Sequence, residues 1–98
     1  MDETITSAQQ AARRNLSANL KVFRGKRGLS QEALADQAGL HRTYISQVER
    51  QLVNVSLDNL VLFAKALEVS VPELLQEPHE AATPVKAGRK RAPGKSER

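Results

Sequence analysis

The chain contains no cysteine and no tryptophan, and its only aromatic residues are Phe23, Tyr44 and Phe63. The absence of cysteine excludes a disulfide framework, a cysteine-ligated zinc site and thiol catalysis, and is typical of proteins that stay inside the cell. A surface that binds single-stranded nucleic acid usually needs several rings on which bases stack. Two of the three rings here belong to phenylalanines expected in the core, so this kind of binding is disfavoured.

Long apolar runs are also missing from the chain. No stretch of about 18 apolar residues occurs, so the sequence predicts no membrane span and no membrane partner. The start of the chain, MDETITSAQQ, is polar and acidic and does not resemble a secretory signal. The 98 residues are therefore expected to form one small cytoplasmic domain.

The sequence lacks the patterns of an enzyme site. It has no glycine-rich phosphate loop and no His-Glu-x-x-His motif. The two histidines, His41 and His79, are far apart and neither lies in a metal-ligand pattern. The carboxylates of Glu32, Asp36 and Asp58 have the positions of helix-dipole and solubility residues. We therefore expect no enzymatic activity, no metal and no cofactor.

The net charge of +4 is unevenly distributed along the chain. Residues 13–50 carry eight basic and three acidic side chains, whereas residues 51–78 carry one basic and four acidic. Residues 79–98 carry six basic and two acidic side chains. A positive surface on an otherwise neutral body indicates an oriented polyanionic partner. The same charges also fit a solvated surface that has no partner.

Apolar periodicity and capping residues predict five helices and no strand. The first helix is expected at about 8–27, with Ser7 as its N-cap and Gln10 at the capping-box position. The next three are expected at about 31–38, 42–50 and 57–68, and the last in the segment SVPELLQ. The N-caps expected for the second, fourth and fifth helices are Ser30, Ser56 and Ser70.

The fourth predicted helix carries an apolar arc that is expected to face the core, and Leu62 lies outside it. The members of this arc are Leu57, Leu60, Val61, Phe63, Ala64 and Leu67.

Three regions of the chain follow from the helix pattern. Residues 1–15 form an N-terminal extension leading into the first helix, 16–78 form the folded domain, and 79–98 form a flexible, disordered basic tail.

The segment GLHRTYISQVERQ, residues 39–51, predicts a short helix with two unlike faces. Ile45 and Val48 lie on the apolar face. The opposite face is polar and basic, and Gly39 separates this helix from the preceding one. Two short helices joined in this way are typical of a helix-turn-helix. The second helix of that motif enters the major groove of DNA, which is about 12 Å wide.

The sequence resembles the Cro/phage-repressor (XRE-type) helix-turn-helix family over about residues 16–76. The matching segments are LKVFRGKRGLSQEALADQAGLHRTYISQVERQ and SLDNLVLFAKALEVSVPELL. Within the family, RTYISQVER followed by NVSLDNL is most similar to restriction–modification controller proteins. The resemblance implies an all-α, compact five-helix repressor-like domain. One departure is Gln51, where the family usually has glycine, so the 51–55 loop is expected to differ.

The polar face and the resemblance together give the expected DNA contacts. Base contacts are assigned to Arg42, Thr43, Ser46 and Gln47, because arginine pairs with guanine, glutamine with adenine and threonine with the thymine methyl group. His41 and Arg50, at the two ends of the helix, are expected to contact phosphates. The resemblance implies the same role for Gln31. Plain surface polarity remains the alternative for the weaker members of this set.

Glu49 points toward the protein on a helical projection, between the polar face and Ile45. The resemblance implies that it pairs with Arg24 and fixes the orientation of the recognition helix. The resemblance also implies a homodimer, because one recognition helix contacts only a few base pairs. Its interface is expected on the fourth and fifth helices, at Leu62, Val71, Leu74 and Leu75.

The sequence therefore predicts a sequence-specific, dimeric transcriptional regulator that binds near-palindromic operators in double-stranded DNA. A restriction–modification controller is the leading version, and contact with RNA polymerase is compatible with that role. The alternatives are a phage-repressor-like or antitoxin-type regulator, and a helix-turn-helix module that binds a protein. The basic tail either attracts phosphates of any sequence or keeps the protein in solution.

Overall fold

The computed structural model describes residues 5–79 and residue 82, and these contain five α-helices and no strand. The predicted basic tail therefore lies almost entirely outside the described residues. None of the described helices is long and apolar enough to cross a membrane. The helices are α1 (Ser7–Arg27), α2 (Gln31–Ala38), α3 (Arg42–Glu49), α4 (Leu57–Leu67) and α5 (Val71–Leu75).

Serine hydroxyl groups cap the N-termini of three helices, as the sequence predicts. The side chains of Ser30, Ser56 and Ser70 each accept a hydrogen bond from the backbone N–H three residues later. At α5 the Glu73 carboxylate also accepts from the Ser70 backbone N–H, and this bond lowers the pKa of Glu73. These bonds satisfy N–H groups that have no partner within the helix.

The N-cap predicted for α1 was wrong by one residue. The cap is Thr6, whose hydroxyl accepts from the Gln9 backbone N–H, while the Gln9 side chain accepts from the Thr6 backbone N–H. Thr6 has an extended backbone, whereas Ser7 is already helical. Both hydroxyls suit a cap and each has a glutamine three residues later, so the local pattern alone did not distinguish Thr6 from Ser7.

The core lies where α1 packs against α3, α4 and α5, and where α2 packs against α3 and α4. Its fully buried large side chains are Leu20, Leu34, Ile45, Phe63 and Leu74. Leu74 was expected at a dimer interface, and this prediction was wrong because the chain's own core encloses it. In the short α5 the side chain of Leu74 turns inward, whereas Leu75 remains exposed.

The apolar arc predicted for α4 was partly wrong. Leu57 and Val61 are 74% and 48% exposed, whereas Ala66, which the prediction omitted, is buried. The buried arc of α4 is therefore rotated toward Ala66 and away from Leu57 and Val61. Periodicity alone did not identify the inner face, because it does not show which part of an apolar arc a neighbouring helix covers.

Gln51, the departure from the family pattern, adopts the left-handed backbone conformation with φ +63°. Its side-chain Oε1 accepts a hydrogen bond of 3.2 Å from Gln10 Nε2 in the first half of α1. The glycines at the ends of α1 and α2, Gly28 and Gly39, adopt the same conformation. For a residue with a Cβ atom, this conformation is higher in energy by roughly 1–2 kcal/mol.

Replacing Gln51 by Gly is expected to give a protein about 1 kcal/mol more stable than replacement by Ala. Both variants lack the hydrogen bond to Gln10, so their difference reports the left-handed strain of a residue with a Cβ atom, less the greater chain entropy that glycine gives the unfolded state. Urea unfolding followed by circular dichroism measures the free energies of unfolding. An Ala variant more stable than the Gly variant would show that position 51 carries no left-handed strain in solution.

Candidate nucleic-acid interface

The turn between α2 and α3 is set by Gly39, whose φ is +73°. Its backbone N–H donates to the carbonyls of Ala35 and Asp36, and the next N–H, of Leu40, donates to Ala35 at 2.9 Å. This pairing closes the end of α2 and turns the chain sharply into α3. A β-carbon at this backbone conformation is disfavoured, which accounts for glycine here.

The buried side of α3 anchors the helix on the domain. Ile45 and Val48 are fully or almost fully buried in the core. The Tyr44 ring stacks on Phe63 of α4 with centroids 6.3 Å apart, and its hydroxyl accepts a 3.0 Å hydrogen bond from Asn59. The helix is therefore held by both apolar packing and a polar contact to α4.

The opposite side of α3 bears the recognition face, defined here as Arg42, Thr43, Ser46 and Gln47. Arg42 and Thr43 are exposed, and Ser46 and Gln47 are half-buried. None of these side chains makes a hydrogen bond or ion pair with another described residue. The structure thus places all four predicted base-contacting residues on one surface, with polar groups available to an external partner.

The predicted phosphate contacts lie at the two ends of this surface. His41 is the exposed N-cap of α3 and makes no side-chain capping bond. Arg50 is the exposed C-cap at the other end. With no side-chain cap at His41, N–H groups of the first turn of α3 remain without a side-chain acceptor. The positive end of a helix dipole attracts anions, so these groups favour a phosphate there.

The predicted ion pair between Arg24 and Glu49 is confirmed. Arg24 Nε donates to Glu49 Oε2 at 2.7 Å and Nη2 donates to Oε1 at 2.9 Å, which is the paired geometry of a guanidinium fork. The side chains of Arg24 and Glu49 are 12% and 3% exposed. Arg24 Nη1 also donates to the Leu29 carbonyl at 2.8 Å. The pair fastens the last residue of α3 to α1.

Two further residues complete this contact, and neither connection was predicted from the sequence. The buried Ser17 hydroxyl donates to the Glu49 carbonyl at 2.6 Å, so α1 binds both the backbone and the side chain of Glu49. Gln31 Nε2 donates to Glu49 Oε1 at 3.0 Å. The sequence contained a signal for the bond of Ser17 to Glu49, because Ser17 is a polar residue beside Leu16 on the inner stripe of α1. An amide nitrogen has two donors, so Gln31 retains one for a phosphate.

The remaining residues of the predicted dimer interface differ in their exposure. Leu62 and Leu75 are 37% and 40% exposed, and Val71 is half-buried. Leu57 and Val61, four residues apart on α4, are more exposed than Leu62 and Leu75. No cluster of histidine, aspartate and glutamate suited to a metal ion occurs within residues 5–79.

Two short helices, a left-handed glycine turn and a fixed second helix with a polar outer face define a helix-turn-helix domain. Residues 20–74 match the family model described as helix-turn-helix, HTH_3. The chain belongs to this family and is an XRE-type transcriptional regulator, as the sequence predicts.

Several relatives are control or controller proteins. Control protein C.SmaI of Serratia marcescens is 53% identical over 60 residues, which are 61% of this chain and 71% of that protein. The solved structure of the restriction–modification controller C.AhdI from Aeromonas hydrophila is 42% identical with a TM-score of 0.63, covering 66% of this chain and 94% of that one. A hypothetical transcription factor from Neisseria is 46% identical with a TM-score of 0.69, covering 71% and 79%. The all-α, repressor-like fold and the likeness to controller proteins are thereby confirmed.

Proposed function

We propose that the protein is a dimeric, sequence-specific regulator that binds operator DNA with the recognition face of α3 in the major groove. The observation that carries this proposal is the recognition face itself. Its polar groups have no partner among the described residues, while the rest of α3 is fixed to α1 and α4. A rigid helix with uncommitted donors and acceptors on one side is suited to base edges.

Each residue of the recognition face has a distinct chemical role. Arg42 donates two hydrogen bonds to guanine O6 and N7, and Gln47 pairs with adenine. Thr43 contacts a thymine methyl group or a phosphate. Ser46, which is small and central, allows the helix to approach the bases closely. Gln31, His41 and Arg50 bind phosphates around this face and set its register on the duplex.

A dimer is supported by the exposed apolar side chains of α4 and α5. Leu57 and Val61 form an adjacent pair at helical spacing, and Leu62 and Leu75 are further exposed apolar side chains on α4 and α5. Val71 contributes less because it is half-buried, and Leu74 contributes nothing because it is enclosed. Two copies related by a two-fold axis would bind half-sites about 10 bp apart centre to centre, or a multiple of that spacing.

Replacing Val61 by Glu is expected to raise the dimer dissociation constant at least about tenfold, because a charge on an apolar interface loses its hydration. Sedimentation measures the self-association. Leu52→Glu is the matched control, since Leu52 is 55% exposed but lies outside α4 and α5. Equal weakening by both substitutions, or a wild-type monomer at tens of micromolar, would contradict this interface.

The controller proteins among the relatives support a restriction–modification context for this regulator. A dimer bound at a promoter represses by blocking RNA polymerase or activates by contacting it. Phage-repressor-like and antitoxin-type regulators are the alternatives with the same DNA-binding site. The adjacent gene distinguishes these versions, since a restriction enzyme, a phage module or a toxin would each identify one.

Selection of bound sites from random duplex DNA tests the proposal. The expected result is a near-palindrome in which a guanine at one position depends on Arg42. If no sequence is enriched, and if replacing Arg42, Thr43 and Gln47 together by Ala leaves regulation intact in cells, the DNA proposal fails. The module would then act by binding a protein.

A further inference from the structure

The first helix has no acidic residue and carries six basic ones. Arg24 is used by Glu49, Arg27 binds Glu68 at 2.9 Å, and Lys26 lies over the Phe23 ring at 5.8 Å. Arg13 is half-buried, whereas Arg14 and Lys21 are exposed and have no such role among the described contacts. They lie seven residues apart, so both fall on the same side of α1.

Three hydrogen bonds mark the line along which α1 meets the end of α3. Gln10 bonds to Gln51, Ser17 to the Glu49 carbonyl, and Arg24 to the Glu49 carboxylate. On a helical projection, Arg14 and Lys21 lie about 60° and 40° to one side of Ser17. The buried residues Leu16 and Leu20 lie about 100° and 60° to the other side.

The same division holds on α3. From Glu49 at the contact line, Ile45 and Val48 lie toward the core. Ser46 and Arg50 lie about 60° and 100° in the opposite direction. The outer flank of α1 therefore continues the surface of α3 that contains Ser46 and Arg50.

We propose that Arg14 and Lys21 form a basic edge that binds the phosphate backbone of the same DNA duplex. This inference rests on the proposed DNA binding by α3. The two residues are about 10 Å apart along α1, and each strand of B-DNA presents one phosphate charge per about 3.4 Å of helix axis. The only nearby carboxylate on α3, that of Glu49, is neutralised by Arg24 and is 3% exposed.

The test compares Arg14→Gln and Lys21→Gln with Lys26→Gln in the full chain. Lys26 is the matched control because it is exposed on the same helix but lies about 180° around it from Ser17. Fluorescence anisotropy measures affinity for the selected operator and for an unrelated duplex between about 0.05 and 0.3 M salt. Thermal unfolding confirms that each variant remains folded.

Removing one phosphate-binding charge is expected to reduce affinity about fivefold at about 0.15 M salt and to lower the salt slope by about 0.9. A dimer carries each substitution twice, so its affinity should fall about 25-fold, on both duplexes alike. Lys26→Gln should leave affinity within about twofold of the wild type.

Three outcomes overturn the basic edge: edge variants that bind as the wild type does, a weakening confined to the operator, and an equal weakening in Lys26→Gln. In each of these the wild type still binds DNA, so the proposed function stands. A wild type that binds neither duplex overturns both proposals.

Discussion

Replacing Arg24 by Ala is expected to lower the free energy of unfolding by about 3–5 kcal/mol. The effect is large because Glu49, only 3% exposed, would retain a buried carboxylate without its opposite charge. The carbonyl of Leu29 would also be deprived of its bond to Arg24. Urea unfolding measures this change. Arg24→Lys is the informative control, because it keeps the charge but not the two parallel hydrogen bonds of the guanidinium fork.

The same ion pair is expected to control DNA affinity through the position of α3. Glu49→Gln removes the charge while keeping the shape of the side chain, and should weaken operator binding although Glu49 makes no proposed DNA contact. Replacing Arg24 by Met and Glu49 by Leu together should recover much of the stability, since apolar pairs can replace buried ion pairs. Full operator affinity in Glu49→Gln would show that the pair has no role in orienting α3.

Replacing Arg42 by Ala is expected to abolish recognition of one base pair in each half-site. A two-hydrogen-bond contact to guanine provides roughly 1–3 kcal/mol of discrimination. Two copies in a dimer therefore account for about 2–6 kcal/mol, or a decrease in operator affinity between about 30-fold and more than 10⁴-fold. Competition titrations against operators with each substitution at the guanine position measure the effect.

Arg50→Ala is the control for charge, because Arg50 is exposed at the opposite end of α3. It should weaken binding to every duplex by a similar factor and leave the preference for guanine unchanged. If Arg42→Ala also lowers all affinities equally and keeps the base preference, Arg42 contacts phosphate rather than guanine.

Helix positions were predictable from the sequence because their signals are local. Ser30, Ser56 and Ser70 each cap a helix through a residue three positions away, and Gly39 provides a turn without reference to the rest of the fold. At the start of α1 two local signals were equivalent, because Thr6 and Ser7 each have a glutamine three residues later. In the structure Thr6 and Gln9 form the capping box.

Contacts between distant segments were predictable only where the family resemblance supplied them. The Arg24–Glu49 pair was obtained in this way, whereas the bonds of Ser17 and Gln31 to Glu49 were not. Periodicity gives the apolar side of a helix but not which part of it another helix covers. Leu57 and Val61 were therefore placed in the core, and Leu74 on the surface.

The long first helix, α1, contacts α3, Gln51 and α5. Its residues bind the end of α3 through Ser17 and Arg24, and they reach the left-handed Gln51 through Gln10, which precedes the matched residues 20–74. Asn19 Nδ2 also donates to the carbonyls of Leu74 and Gln76 at 2.9 and 2.7 Å, so α1 fastens the end of α5 as well. α1 therefore joins the recognition helix to α5.

The most direct test of sequence-specific DNA binding is the ratio of two affinities of the unaltered protein at about 0.15 M salt. One affinity is for the near-palindromic operator obtained by selection, and the other is for an unrelated duplex of the same length. Sequence-specific binding through two recognition faces predicts a ratio of about 10³ or more. A ratio near one would contradict it, because binding would then rest on phosphate attraction alone.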